Sequence, residues 1–344
     1  MSILQKLYIP KSTTEFSAKS RFVLFAVLTV IVSAVFVLSL VVGSSKVDII
    51  SVLLGLCEKS SPDYRIVYYV RLPRALGAVL CGSALAVAGA ITQAVLNNPM
   101  AAPNIIGVNS GAGLGAILCM ALAPSMVFAM PLAAFSGALG ACILIYTIAQ
   151  KTGASRITIT LVGIAVSSVL TSCINIVKTL FPDSVYNMTT FSVGGLGGAD
   201  FAIIKYAAPM IVICLILAFL LSKDMDVMCL GEDTAASLGM NVKRLRLVLM
   251  VCASILAGCA VSIAGLIGFV GLVVPHIARR FTESYHALLI PACALCGALF
   301  MLVCDIFSRV LFAPYEVPVG ILMSLIGGFF FIGLILTKRR KHNA

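Results

Sequence analysis

Tryptophan is absent, histidine occurs three times, and only 11% of the 344 residues are charged. A soluble domain usually carries about 25% charged residues, so an ordinary globular enzyme is a poor fit. With 61% hydrophobic residues and a mean hydropathy of +1.12, a disordered chain is excluded as well. The dipeptide Gly-Lys does not occur, so there is no phosphate loop of the G-x-x-x-x-G-K-[ST] type. Neither H-E-x-x-H nor G-x-S-x-G is present, and His276, His286 and His342 form no metal-ligand cluster. Intramembrane acids, which an ion-coupled transporter usually needs, are nearly missing. Asp305 is the main one, and Arg309 four residues on lies on the same helix face, the spacing of a local ion pair.

What is abundant is apolar length. A membrane-spanning helix needs about 20 apolar residues. Ten runs satisfy or approach that: 22–42, 70–95, 105–123, 127–149, 157–180, 201–221, 245–264, 269–281, 287–309 and 318–337, with 269–281 the shortest. The first run is too long for a signal-peptide core and is read as a retained helix. These runs predict an all-α integral membrane protein of about ten transmembrane helices. It comprises an N-terminal segment 1–21, a transmembrane domain 22–337 and a basic tail 338–344.

Charge sets the orientation. Lys6, Lys11, Lys19 and Arg21 precede the first span and Lys338, Arg339, Arg340 and Lys341 follow the last, which predicts cytoplasmic N- and C-termini. The net charge of +11 therefore reads as topology, not as nucleic-acid binding. With ten spans, 16 Lys/Arg fall on the cytoplasmic side and 8 outside. Tyr64, Tyr68, Tyr69, Tyr186, Tyr206 and Tyr315 cluster near outer ends, where interfacial aromatics sit. The 12 cysteines are scattered through apolar runs and read as small buried side chains, the lone C-x-x-C of Cys293 and Cys296 included. Asn187-Met188-Thr189 fits a glycosylation sequon that its brevity makes uninformative.

Two features concern packing. Residues 79–99 align without gaps on 255–275, with 8 identities in 21 positions, among them Gly82/Gly258, Gly89/Gly265 and Pro99/Pro275. The copies run in opposite directions, as inverted repeats of transporters do. Gly107, Gly111 and Gly115 form a stripe at four-residue spacing, which reads first as close helix packing and second as a subunit interface.

The string RLPRALGAVLCGSALAVAGAITQAVLNNPMAAPNIIGVNSGAGLGA (71–116) resembles the signature of FecCD-type permeases, the membrane subunits of ABC importers for ferric siderophores, haem and cobalamin. LGEDTAASLGMNVKRLR (230–246), AGLIGFVGLVVPHIARR (264–280) and the segment 305–335 are similar to the same family. The resemblance covers nearly the whole chain from about residue 20. It implies a type II ABC importer permease architecture and a dimer with a second permease copy or paralogue. It also implies cytoplasmic ABC ATPase subunits and an extracytoplasmic substrate-binding protein. No cofactor is expected in this chain, since ATP and Mg belong to the partner ATPase, and no metal or nucleic acid is expected; lipid is its solvent.

The resemblance also implies roles for particular residues. Arg71, Arg74 and Arg309, at outer helix ends, match binding-protein docking positions. The residues themselves allow snorkelling or pairing with Asp305 and Glu316 instead. The segment 223–246 reads as a short helix opening with acids, a break at Gly239 and a basic turn. The resemblance makes it the ATPase coupling element, with Glu232, Leu238 and Gly239 its chosen residues. The loops 97–100 and 152–155 match the cytoplasmic gate through Asn98, Met100 and Ser155, with Met100 where the family usually has Leu. His276, beside Arg279 and Arg280, reads as structural and not as a haem ligand.

The function expected is therefore a multi-pass permease of the bacterial cytoplasmic membrane, not an enzyme, importing ferric siderophores by alternating access. Cobalamin or haem import is the alternative within the class, and an ion-coupled secondary transporter the alternative outside it.

Overall fold

The structure is a computed structural model describing residues 18–43, 61–126, 129–151, 155–182, 184–282, 285–313 and 315–342. Every described regular element is helical. In chain order they are α1 (Ala18–Val41), α2 (Pro62–Leu96), α3 (Val108–Leu122), α4 (Met130–Lys151), α5 (Arg156–Leu180), α6 (Ser184–Val193), α7 (Phe201–Leu220), α8 (Ser222–Cys229), α9 (Glu232–Ser237), α10 (Val242–Ala264), α11 (Val270–Thr282), α12 (His286–Val310) and α13 (Val319–His342). All ten apolar runs appear as helices. Seven are long and apolar enough to cross a membrane, and Val108–Leu122 and Val319–Gly333 are shorter apolar helices. The N-terminal residues 1–17 lie outside the described residues.

The centre of the bundle is α2. From Pro73 to Leu96 nearly every residue is buried, in a stretch made mainly of Ala, Gly and Val. Lipid tails are as apolar as Leu, so membrane helices gain little from hiding apolar surface and associate by close packing instead. The small residues permit that contact. A methyl on Gly82 would overlap the backbone of Gly297 in α12, and one on Gly89 the backbone of Gly271 in α11. Helix α10 packs antiparallel along a third side, bringing Cys81 beside Ala260 and Gly77 beside Ile263. The stripe Gly107, Gly111 and Gly115 serves packing within the chain. Gly111 and Gly115 abut the backbones of Gly137 and Ala133 in α4, and Gly107 meets Ile145.

Three features depart from the sequence reading. Residues 79–96 and 255–272 do not share one conformation: α2 runs straight through Gly89, whereas the chain leaves the helix at Gly265 (φ 70°) and restarts at Val270. The two stretches differ at this break, and the α11 run is 13 residues long because of it. The helix α6 falls where an outer loop was expected, and α8 adds a second helix to the 223–246 segment.

The break is built from glycines. Gly195 N donates to Ala264 O at 2.8 Å, Leu266 N to Phe191 O at 3.0 Å and Gly320 N to Gly194 O at 3.0 Å. These bonds join the end of α6, the break and the start of α13, supplying partners to backbone groups that lipid could not satisfy.

Overpacking a well-filled core costs about 1–3 kcal/mol, occasionally more. Gly82→Leu, which meets backbone and not a yielding side chain, is expected at or above the top of that range. Gly140→Leu, with nothing within 4 Å of an added Cβ, is expected to cost less than about 0.5 kcal/mol. Thermal unfolding of both purified variants in detergent checks this; equal midpoints would show that the glycine contact is not what holds α2.

Candidate functional site

Polar side chains collect at the two ends of the Leu72–Leu96 stretch of α2, about 37 Å apart at 1.5 Å per residue over 25 residues. At its start, a wider π-type turn over Ile66–Arg71 delivers Arg71 and Arg74 to the neighbouring helix ends; such turns often mark functional positions. Arg74 Nε donates to Asp305 Oδ1 at 2.8 Å and Nη1 to Glu316 Oε2 at 2.6 Å. Arg309 Nη2 approaches Asp305 Oδ2 at 2.9 Å, the local ion pair expected from the spacing. Asp305 is fully buried and shared by both guanidiniums.

The other donors go to α1. Arg71 Nη1 donates to the carbonyls of Leu40 and Val41 at 2.8 and 2.7 Å. Arg309 Nη1 donates to the carbonyls of Ser39 and Val42 at 3.0 and 2.9 Å, and Nη2 to Ser39 Oγ at 2.8 Å. Last-turn carbonyls have no partner within their own helix, and cations there also favour the helix dipole. The structure thus brings Arg71, Arg74 and Arg309 together, but inside the wall: each is buried. Half-exposed Glu316, beside a cavity of about 370 Å³ lined by Arg74, Gly195, Gly265 and Pro318, is the part of the cluster that reaches the surface.

At the far end of α2, Asn97 takes the left-handed conformation (φ 46°) that stops the helix. Asn98 Oδ1 accepts from Met100 N at 2.9 Å, closing the compact turn expected of 97–100. Ser155 Oγ accepts from Thr158 N at 3.1 Å and caps α5; residues 152–154 lie outside the described residues. Asn97, Asn98, Asp226, Arg279 and His286 line a second cavity of about 390 Å³. His286 Nδ1 and Asp226 Oδ1 are 2.6 Å apart, and Arg279 donates to Gln93. His276 faces the Phe330 ring edge-on at 5.7 Å.

The segment between α7 and α10 stands at this same end. Glu232 opens α9, and its Oε1 accepts from Arg246 Nη2 at 2.5 Å. Leu238 and Leu230 are each 67% exposed, and Gly239 (φ 82°) turns the chain in open space. Glu232 therefore faces inward while Leu238 and Gly239 face outward. The gate turn at Asn98 and the segment meet across the second cavity, which Cys229 and Leu230 also line; Met100 and Ser155 do not line it.

One feature escaped the sequence reading. Helix α5 is mostly unburied; Leu161 and Ile164 are exposed first, then Ser168, Ser172, Asn175 and Thr179, flanked by exposed Val169, Ile176 and Leu180. The spacing i, i+4, i+7, i+11 places the four polar residues on one stripe. Ser168, Ser172 and Thr179 donate to carbonyls four residues back, at 2.9–3.0 Å, leaving acceptor lone pairs outward. The signal was present in the sequence as polar residues at helical spacing inside an apolar run.

The FecCD transport family matches residues 30–337. The chain is 35% identical to the Fe(3+)-citrate import system permease protein YfmE of Bacillus subtilis (strain 168), over 96% of this chain and 99% of that protein. It is 36% identical to the hemin transport system permease protein HmuU of Yersinia pestis, over 80% and 84%. A solved inward-facing metal-chelate type ABC transporter superposes with a TM-score of 0.82 at 25% identity, covering 91% of this chain and 99% of that one.

Removing one partner of a buried charge cluster costs about 3–5 kcal/mol, because the remaining charges stay buried. Asp305→Asn is expected in that range, and Glu316→Gln, whose carboxylate is 38% exposed, at about 1 kcal/mol or less. The difference is read by thermal unfolding in detergent; similar losses would mean that Asp305 is not the common anchor.

Proposed function

The chain belongs to the FecCD transport family, and from that premise we propose that it is the membrane permease subunit of an ATP-driven, binding-protein-dependent importer of ferric chelates. The observation that carries the reading is the stripe Ser168, Ser172, Asn175 and Thr179. A polar face on a membrane helix is costly against lipid and belongs where water or substrate passes. Two permease copies that set these faces toward each other enclose a path of weakly polar character, suited to a bulky solute. Asp305, the main acid inside a span, is already taken by two arginines, which speaks against an ion-coupled transporter.

The remaining roles follow the two ends. The end bearing Arg71, Arg74 and Arg309 faces outward in this proposal and receives the binding protein. Its buried guanidiniums act through Arg74 and Glu316 at the cavity rim. The opposite end faces the cytoplasm, with both chain termini. There Leu238 and Gly239 seat in the ATPase, and the turns holding Asn98, Met100 and Ser155 close the exit. Ferric citrate or a ferric siderophore is the proposed cargo, and the hemin permease among the relatives favours haem as the second reading. ATP and Mg are bound by the partner ATPase, and this chain performs no covalent chemistry.

Reconstitution with its ATPase and binding protein tests the proposal: proteoliposomes should accumulate radiolabelled ferric citrate or ferric hydroxamate in an ATP-dependent manner. Accumulation of haem alone would move the cargo to the second reading. Ser172→Leu with Asn175→Leu is expected to stop uptake while leaving the amount of folded protein unchanged; normal uptake would refute the path. Glu316→Gln, which releases one Arg74 donor toward the cavity, should tighten docking of an acidic binding protein, and Arg74→Glu should weaken it. An affinity unmoved by both would end the docking assignment.

A further inference from the structure

The segment 222–241 touches the bundle through few polar contacts, and they differ in kind. Asp226 is clasped by His286, whose Nδ1 lies 2.6 Å away and whose backbone N donates at 3.1 Å, with the imidazole buried. Glu232 is held at 2.5 Å by Arg246, a fully buried residue on the second turn of α10. Both clasps are short and rooted in buried side chains.

The third contact is looser. Glu232 Oε1 also faces Arg156 Nε at 3.6 Å, an ion pair longer than a hydrogen bond, with both side chains partly exposed. Arg156 Nη2 reaches Met228 O, near the end of α8, at 3.2 Å. Arg156 is thus the residue that touches both short helices of the segment. It is also the first residue of α5, immediately after Ser155 and on the helix that carries the polar stripe. Its ion pair is longer than the two clasps, and Glu232 keeps Arg246 when the Arg156 contacts change.

We propose that Arg156 is a positioning residue that relays movement of the 222–241 segment to α5. When the segment shifts, the Arg156 contacts with Glu232 and Met228 pull on the start of the stripe-bearing helix, while Arg246 and His286 keep the segment attached to α10 and α12. This rests on the proposal that 222–241 couples to an ATPase and that α5 lines the path.

The test uses the complete importer in proteoliposomes, comparing ATP hydrolysis with and without substrate-loaded binding protein. Arg156→Gln should lower the stimulation by about fivefold or more, the scale of a typical coupling free energy, with the unfolding midpoint and the amount of assembled complex unchanged. Arg156→Lys, which keeps the charge, should retain most of the stimulation. In a Glu232→Gln background, Arg156→Gln should add little, since the two act as one unit. Additive losses, loss in Arg156→Lys equal to that in Arg156→Gln, or full stimulation in Arg156→Gln would each overturn the relay. Leu238→Asp separates this from the parent reading: if it uncouples while Arg156→Gln does not, the relay alone fails, and if neither has any effect, the coupling assignment fails with it.

Discussion

Backbone-to-backbone contact along α2 is the constraint on which this molecule depends. In lipid, a helix surface of Leu and Ile gains little by meeting another helix, so specificity comes from how closely two backbones approach. Gly82 against Gly297 and Gly89 against Gly271 set the distance of α12 and α11 from the central rod, and Cys81 against Ala260 sets that of α10. Because α2 is unbroken and densely packed from Pro73 to Leu96, the ends of that stretch are fixed relative to each other. Arg74 and Asn98 therefore occupy defined positions at opposite ends of the bundle, and any movement between them must occur in the helices around α2.

The charges obey the same economy. Burying an ion is tolerated only when it is paired and its hydrogen-bonding capacity is used. Asp305 meets Arg74 and Arg309; Arg309 also reaches the carbonyls of Ser39 and Val42 at the end of α1, while Arg71 reaches those of Leu40 and Val41. One buried acid thus organises two arginines, and one of them, Arg309, joins Arg71 in fastening a helix whose own flank is almost entirely unburied. The cluster is structural before it is anything else, and a role in docking has to work through its exposed member, Glu316.

Much of the architecture was legible because a lipid-spanning helix announces itself by length and composition. The helix order and the pairing of Asp305 with Arg309 both followed from patterns within about 20 residues. What could not be read depends on contacts across the chain. The interruption at Gly265 looks like any other glycine in an Ala-rich run, and only its bonds to α6 and the approach of α13 show why the helix must stop. The inward turn of Glu232 was equally hidden, since its partner Arg246 lies 14 residues away on another helix. Arg71, Arg74 and Arg309 come together in the structure, yet their burial depends on α1, whose carbonyls carry no sequence signal.

The contrast between tight and loose polar contacts bears on how a bundle of this kind can move at all. A helix locked by glycine packing resists sliding, because interiors are close-packed and rearrange in steps. Helix α5 is different: little of it is buried, and among the described polar contacts of its first turn the link to the 222–241 segment is a partly exposed ion pair and one backbone carbonyl. That ion pair is long, at 3.6 Å, and partly exposed, so its rearrangement demands less than displacing His286 from Asp226 or Arg246 from Glu232, whose clasps are short and rooted in buried side chains. Motion imposed on the segment is therefore directed toward the element that resists least. That element is also the one carrying the outward polar stripe. The division between a rigid α2 core and a lightly held α5 lets one helix move against a fixed frame, as alternating exposure of a path requires.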